Sequence, residues 1–419
     1  MSSDPAGMAA VSASASASAS ASAAASAAIR AAGVCDGPDA AVNELLAAVG
    51  LADHHVHGIV RGQVDEAGLG DMMIESDRRS AAEAAGYDTQ VWHAVRRWCA
   101  PLLGLPASAP APDYVAARLA MSQEQVAGVM LPLAGFSHLV VETGFKGGMI
   151  SPPAELAAIA GVPATRVIRL EAIAEQLIGT LADPWTYPDA FRAALAAERT
   201  GPDPIVGTKT ILAYRGGFDR DLRRPADEAV AQAAATWSAE VRGGRPARLT
   251  SDALLRFGMW AAADTGLPLQ VHTGFGDPDL DLHRSDPLLL TDFIRATEER
   301  APILLLHTYP FHRNAGYLAQ MFPHVYLDVG EAINYAGAAS VALVSESMEL
   351  APFRKILFSS DAWGAPELHL LGSWLFRRAM SRIIGEWVAR RDWSHADAER
   401  VVQLIASDNV RRVYGLAAA

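Results

Sequence analysis

Eight short apolar runs, separated by stretches with helical spacing, constrain this 419-residue chain more than any other feature of it. ELLAAVGLADHHVH reads as a helix, a glycine stop and a first strand; HLVVETG (138–144) reads as a second strand ending at Glu142. ATRVIRL, PIVGTKTIL, LPLQVHT, APILLLH, HVYLDV and KILFSSD supply the third to the eighth. Runs that are apolar throughout, rather than alternately, suit a sheet covered on both faces. Eight of them with helices between predict an α/β chain folded as a (β/α)8 TIM barrel over residues 39–419. Residues 58–137 break the pattern. They carry no convincing strand, and SDRRSAAEAAG, TQVWHAVRRWCAPLLG and MSQEQVAGVMLPLAG have helical spacing, which predicts a helical insertion after strand one, placed over the C-terminal mouth where such loops form lids.

The formal charge of -12 argues against a nucleic-acid or anionic-membrane surface, since either would need a basic face. Two cysteines, Cys35 and Cys99, do not make a disulfide framework, and a reducing cytoplasm is the expected compartment. Residues 1–38 include SASASASASASAAASAA (12–28). No basic residue precedes it, which rules out a secretory leader, and it is too polar to span a membrane. With almost nothing to bury, it is expected to be a disordered tail.

A barrel gathers the C-terminal ends of its strands around one mouth, so polar residues there become neighbours whatever their separation in sequence. His55 and His57 end strand one and, two apart, face the same side. His272 ends strand five, His307 strand six and Asp361 strand eight, each directly after an apolar run. Imidazoles with a carboxylate suit a divalent metal, Zn2+ first, with Mn2+ or Fe2+ as alternatives. His54 is expected to point away and to be packed or capped.

H-x-H at strand one, His after strands five and six and Asp after strand eight resemble the amidohydrolase superfamily. DHHVH, RLE, GTKTILAYRGG, PLQVHTGFGDPDLDL, HTYPFHRNAGYLA, YLDVGEA and FSSDAWGAPE are similar to its amidohydrolase-related branch, most of all the N-terminal half of FluG-type fusions to a glutamine synthetase domain. The likeness runs from about residue 45 to the end; the synthetase half would begin where this sequence stops, so no synthetase activity is expected. The resemblance implies that His55, His57 and His272 hold the metal and that Asp361 completes or bridges the site and carries a proton between water and leaving nitrogen. It implies that His307 stabilises an oxyanion, ligates, or only orients a ligand. Lys209, inside strand four, is by the same likeness a carboxylated bridge between two metals; otherwise it meets a substrate carboxylate or snorkels to the rim.

Tyr214 and Arg215, before Gly216-Gly217, are candidates to clamp an anionic substrate. Glu171 either touches substrate or pairs with Arg169 at the rim; Glu367 either lines the mouth or caps the next helix. GFGDPDLDLHRSD lacks the ligand spacing and closing Glu of a calcium loop, and YRGG lacks the phosphate-loop pattern. The expected function is a metal-dependent hydrolase acting on a C–N amide bond of a small molecule, with a γ-glutamyl or related amide implied by the resemblance. A non-oxidative decarboxylase and a catalytically silent metabolite-binding barrel are the alternatives. The oligomeric state stays open between a monomer and a homodimer.

Overall fold

The computed structural model describes residues 20–76 and 87–417. Seven strands form one parallel sheet in chain order: β1 (Leu51–Val56), β2 (Phe136–Glu142), β3 (Ala164–Arg169), β4 (Ile205–Thr210), β5 (Leu269–Thr273), β6 (Ile303–His307) and β7 (Val325–Leu327). The predicted eighth strand lacks a regular ladder, yet its backbone closes the ring. Leu357 N donates to Leu327 O (3.0 Å) on one side, while His54 N donates to Phe358 O (3.1 Å) and His57 N to Ala362 O (2.9 Å) on the other. The α/β barrel read from the periodicity is thus the fold, with segment 356–362 in the eighth position.

Alternation along β6 distinguishes inside from outside. Ile303 and Leu305 pack outward into the main core. Leu304 and Leu306 join Ala52, Val140, Val167 and Leu357 in a separate buried cluster that Val410 and Tyr414, from the last helix Asn409–Tyr414, close from below. The barrel floor is therefore plugged by largely apolar side chains.

Between β1 and β2 the described residues form helices Glu66–Met72, Gln90–Trp98, Ala111–Leu119 and Gln123–Met130. Residues 77–86 of SDRRSAAEAAG lie outside the described residues. Among the described residues of this insertion, only 71 and 74–76 reach the mouth. Its other described helices pack toward the flank of the long helix Pro366–Ala389: Trp98 meets Trp374 edge-on at 6.0 Å, and Tyr114 donates to Glu367 Oε1 (2.9 Å).

The expected disordered tail is corrected in part. Residues 1–19 lie outside the described residues, but 20–32 are helical, and Ile29 and Val34 are fully buried. Alanine is the strongest helix former, and two apolar anchors are enough to dock an alanine-rich helix onto a core that already exists. No helix among the described residues is long and apolar enough to cross a membrane.

Candidate metal centre

β1 does not run evenly. Its pairing with β2 shifts between Asp53 and Val56, the mark of a bulge that re-aims side chains at a strand end. His54 and His55 consequently both find partners within the barrel. His54 lies below the cavity, Nε2 2.7 Å from Asp328 Oδ2 and Nδ1 3.2 Å from the Tyr414 hydroxyl. His55 faces the cavity, and its Nδ1 lies 2.8 Å from Gln270 Oε1. The Gln270 amide donates from Nε2 to His54 O (2.8 Å) and to the Tyr414 hydroxyl (2.7 Å). Gln270 Oε1 must then be an acceptor, so His55 carries its proton on Nδ1 and leaves the Nε2 lone pair free.

That lone pair points at a carboxylate: His55 Nε2 is 3.0 Å and His57 Nε2 3.3 Å from Asp361 Oδ1. Asp361 Oδ2 is 3.3 Å from His307 Nδ1, which is 3.7 Å from Glu331 Oε2. The rings of His272 and His307 are 4.4 Å apart. His272 Nε2 donates to Phe275 O (2.9 Å), which leaves its Nδ1 bare. Two groups of candidate ligands result, His55–His57–Asp361 and His272–His307–Glu331, all lining one cavity of about 480 Å³. The ligand set expected from the sequence placed His272 with the strand-one pair; here it stands in the second group.

The backbone is held in the left-handed region at His307, Thr308, Glu331 and Asp361, with φ of 67°, 55°, 56° and 48°. For non-glycine residues that conformation is costly, and its concentration around one cavity marks a functional centre. Burial, with the charge of Lys209 next, holds the His55 imidazole down at about 4, and burial likewise depresses His272 and His307. These rings are thus neutral and able to ligate.

The donor set fits a divalent cation. His57 Nδ1, both ring nitrogens of His307, Glu331 Oε2 and Asp361 Oδ1 are buried without a hydrogen-bond partner among the described residues. Native interiors rarely leave so many polar atoms bare in one place unless an ion satisfies them. Mixed imidazole and carboxylate donors suit zinc, manganese or iron. Gln270→Leu removes the group that sets the His55 tautomer, and we expect it to weaken metal binding about 10–100-fold. A chelator-competition titration reads this directly, and unchanged affinity would contradict the orienting role.

Lys209 is 2% exposed and its Nζ lies 3.3 Å from His55 Nε2, so it does not snorkel to the rim. Burial pulls its pKa down to about 8, against the opposing pull of Asp361. Tyr214 packs its ring on His272, centroids 4.5 Å apart, and Arg215 lines the same cavity.

Two expected substrate contacts are corrected. Glu171 turns back into the scaffold, accepting from Thr210 Oγ1 (2.6 Å) and from Ile211 N (3.0 Å), so it fixes the exit of β4. Glu367 is fully buried between Tyr114 and Arg118 of the insertion. Neither lines the cavity. The expected Arg169–Glu171 pair is also absent: Arg169 binds Glu142 Oε2 at 2.7 Å.

Sequence reasoning assigned no role to Gln270, Glu142, Glu331 or Glu75. Gln270 had a usable signal, a lone amide inside an apolar strand two residues from His272. Glu331 sits in YLDVGEA, but its approach depends on an unusual backbone angle that no spacing rule anticipates. Glu75 comes from the insertion, where burial and repulsion from Asp361 raise its carboxyl to about 8.

A buried set of imidazoles and carboxylates at the C-terminal mouth of a parallel barrel is an arrangement that can hold a divalent metal. The amidohydrolase family model matches residues 212–416, just under half of the chain. Its sequence is 29% identical over 277 residues to protein FluG of Emericella nidulans, a match that covers 60% of this chain and 32% of FluG, about a third of that relative's length. A protein of Lactobacillus casei, provisionally named a metal-dependent hydrolase, superposes with a TM-score of 0.76 at 27% identity, covering 88% of this chain and 95% of its own. A uronate isomerase of Bacillus halodurans shares the fold at a TM-score of 0.58 and 15% identity, covering 94% of this chain and 96% of its own.

Proposed function

We propose that this chain is a metal-dependent amidohydrolase that cleaves a C–N amide bond of a small molecule, a γ-glutamyl or related amide, with zinc as its metal and the cytoplasm as its compartment. The observation that carries the reading is the convergence of bare, buried ligand atoms around Asp361, with the His55 tautomer already fixed for ligation. His55, His57 and Asp361 would hold the metal, with His272, His307 and Glu331 able to hold a second ion or to face the substrate. When bound, such a metal lowers the pKa of a water and polarises the substrate carbonyl.

The chain's own groups do the rest. Asp361 accepts a proton from the attacking water as the C–O bond forms, then returns it to the nitrogen as the C–N bond breaks. His307, neutral and without a hydrogen-bond partner at either nitrogen among the described residues, donates its N–H to the oxyanion that develops on the carbonyl. Lys209 sits at the same focus, either as a carboxylated bridge or as a second cationic donor.

The test is a product assay on a panel of γ-glutamyl and N-acyl amides with metal-loaded protein. Amine and acid released in equal amounts, without CO2, support hydrolysis. CO2 release from carboxylate-bearing substrates would move the chemistry to decarboxylation on the same barrel. No turnover by a metal-loaded protein would leave a binding barrel.

A further inference from the structure

The cavity is lined by both signs of charge: Lys146, Arg169, Arg215 and Arg248 line it together with carboxylates that include Glu75 and Asp361. Arg169 is balanced, since Glu142 lies 2.7 Å away. Arg248 is half exposed and bridged to Asp279 at 2.9 Å. Arg215 is different.

The Arg215 side chain is 9% exposed, yet its nearest carboxylate contact, Nη2 to Glu175 Oε1, is 3.5 Å, at the outer limit of a hydrogen bond. That oxygen already accepts from Leu249 N at 2.9 Å. Arg215 Nε is buried with no partner among the described residues. A guanidinium is not left so poorly matched in an interior unless something else completes it. Its position is fixed from behind. Arg220 Nη2 donates to Arg215 O (2.8 Å), and Gly216 and Gly217, with φ of 98° and 83°, turn the chain sharply after it. Burial, reinforced by repulsion from Arg248, lowers the Arg215 pKa, as expected of a cation short of a counter-charge.

We propose that Arg215 is the anion-recognition residue of this cavity, its guanidinium taking an oxyanion of the ligand. A planar guanidinium edge matches a carboxylate best and a phosphate nearly as well. Under the hydrolase reading, on which only the word substrate depends, the substrate is an amide that carries a free carboxylate away from the bond to be cleaved. The anion subsite itself does not require the metal.

Calorimetric titration of the full chain with glutarate, acetate and inorganic phosphate tests it, on chelator-treated and on metal-loaded protein. Glutarate is expected to bind the wild type in both forms. Arg215→Met should weaken that binding by about tenfold or more, and Arg215→Lys should restore part of it, because the charge returns without the fork. Thermal melts of both variants serve as the folding control; should the methionine variant fail to fold, the lysine variant still has to bind more weakly than wild type. Tighter binding of phosphate than of glutarate, equally dependent on Arg215, would support the subsite and assign it to a phosphate ester. Equal affinity in wild type and variants, or no anion bound by either form, would overturn the proposal. Failure of the hydrolase reading would show separately, as absence of metal or of turnover while Arg215-dependent anion binding persists.

Discussion

Asp361→Asn is expected to lower kcat by roughly a thousandfold at saturating metal, in the middle of the range for removal of a general acid–base group. The carboxylate stands 3.0 Å from His55 Nε2 and 3.3 Å from both His57 Nε2 and His307 Nδ1, so it is the one oxyanion shared by both ligand groups. An amide keeps its shape but cannot take a proton. Asparagine is also the substitution that the backbone accepts, because Asp361 has φ of 48° and Asn tolerates the left-handed region. The loss should therefore appear in kcat and in metal content rather than in thermal stability. Steady-state kinetics beside a thermal melt checks this, and wild-type kcat in a metal-replete Asn variant would remove Asp361 from the chemistry.

Glu367→Ala is expected to destabilise the fold by about 3–5 kcal/mol while leaving kcat of the folded fraction within about twofold. Both Glu367 and Arg118 have side chains with no solvent exposure, and they tie the helix Ala111–Leu119 to the first turn of Pro366–Ala389. Removing the carboxylate strands a buried guanidinium, whose remaining side-chain partner is Gln123. Urea unfolding and kinetics on the same preparation separate the two effects. A small loss of stability with a large loss of kcat would return Glu367 to the substrate site.

The two variants mark where the sequence was legible. Asp361, His55, His57, His272, His307 and Lys209 share one cavity because parallel strands deliver their ends to one mouth, and a polar residue directly after an apolar run shows that end in plain sequence. Which residues group with which was not legible. The division of His272 from the strand-one pair depends on the bulge in β1 and on positive φ at His307 and Glu331. Carboxylates beside strand ends were the least readable, since one can equally face the cavity, as Glu331 does, or turn back to a backbone N–H, as Glu171 does toward Ile211. Glu367 finds its partner 249 residues away in an insertion whose docking no local pattern encodes. The helix at 20–32 was hidden by its own composition, because alanine-rich sequence reads as a tail until a core is present to receive Ile29.

The central claim, that the bare imidazoles and carboxylates exist to hold a catalytic metal, is tested most directly by elemental analysis of freshly purified protein beside His55→Ala and Asp361→Ala. The account predicts at least about one equivalent of zinc, manganese or iron per chain, reduced in both variants. A second equivalent would be held by the His272–His307–Glu331 group. No metal in the wild type, even after reconstitution with each of the three, would contradict the account and leave a barrel that binds without this chemistry.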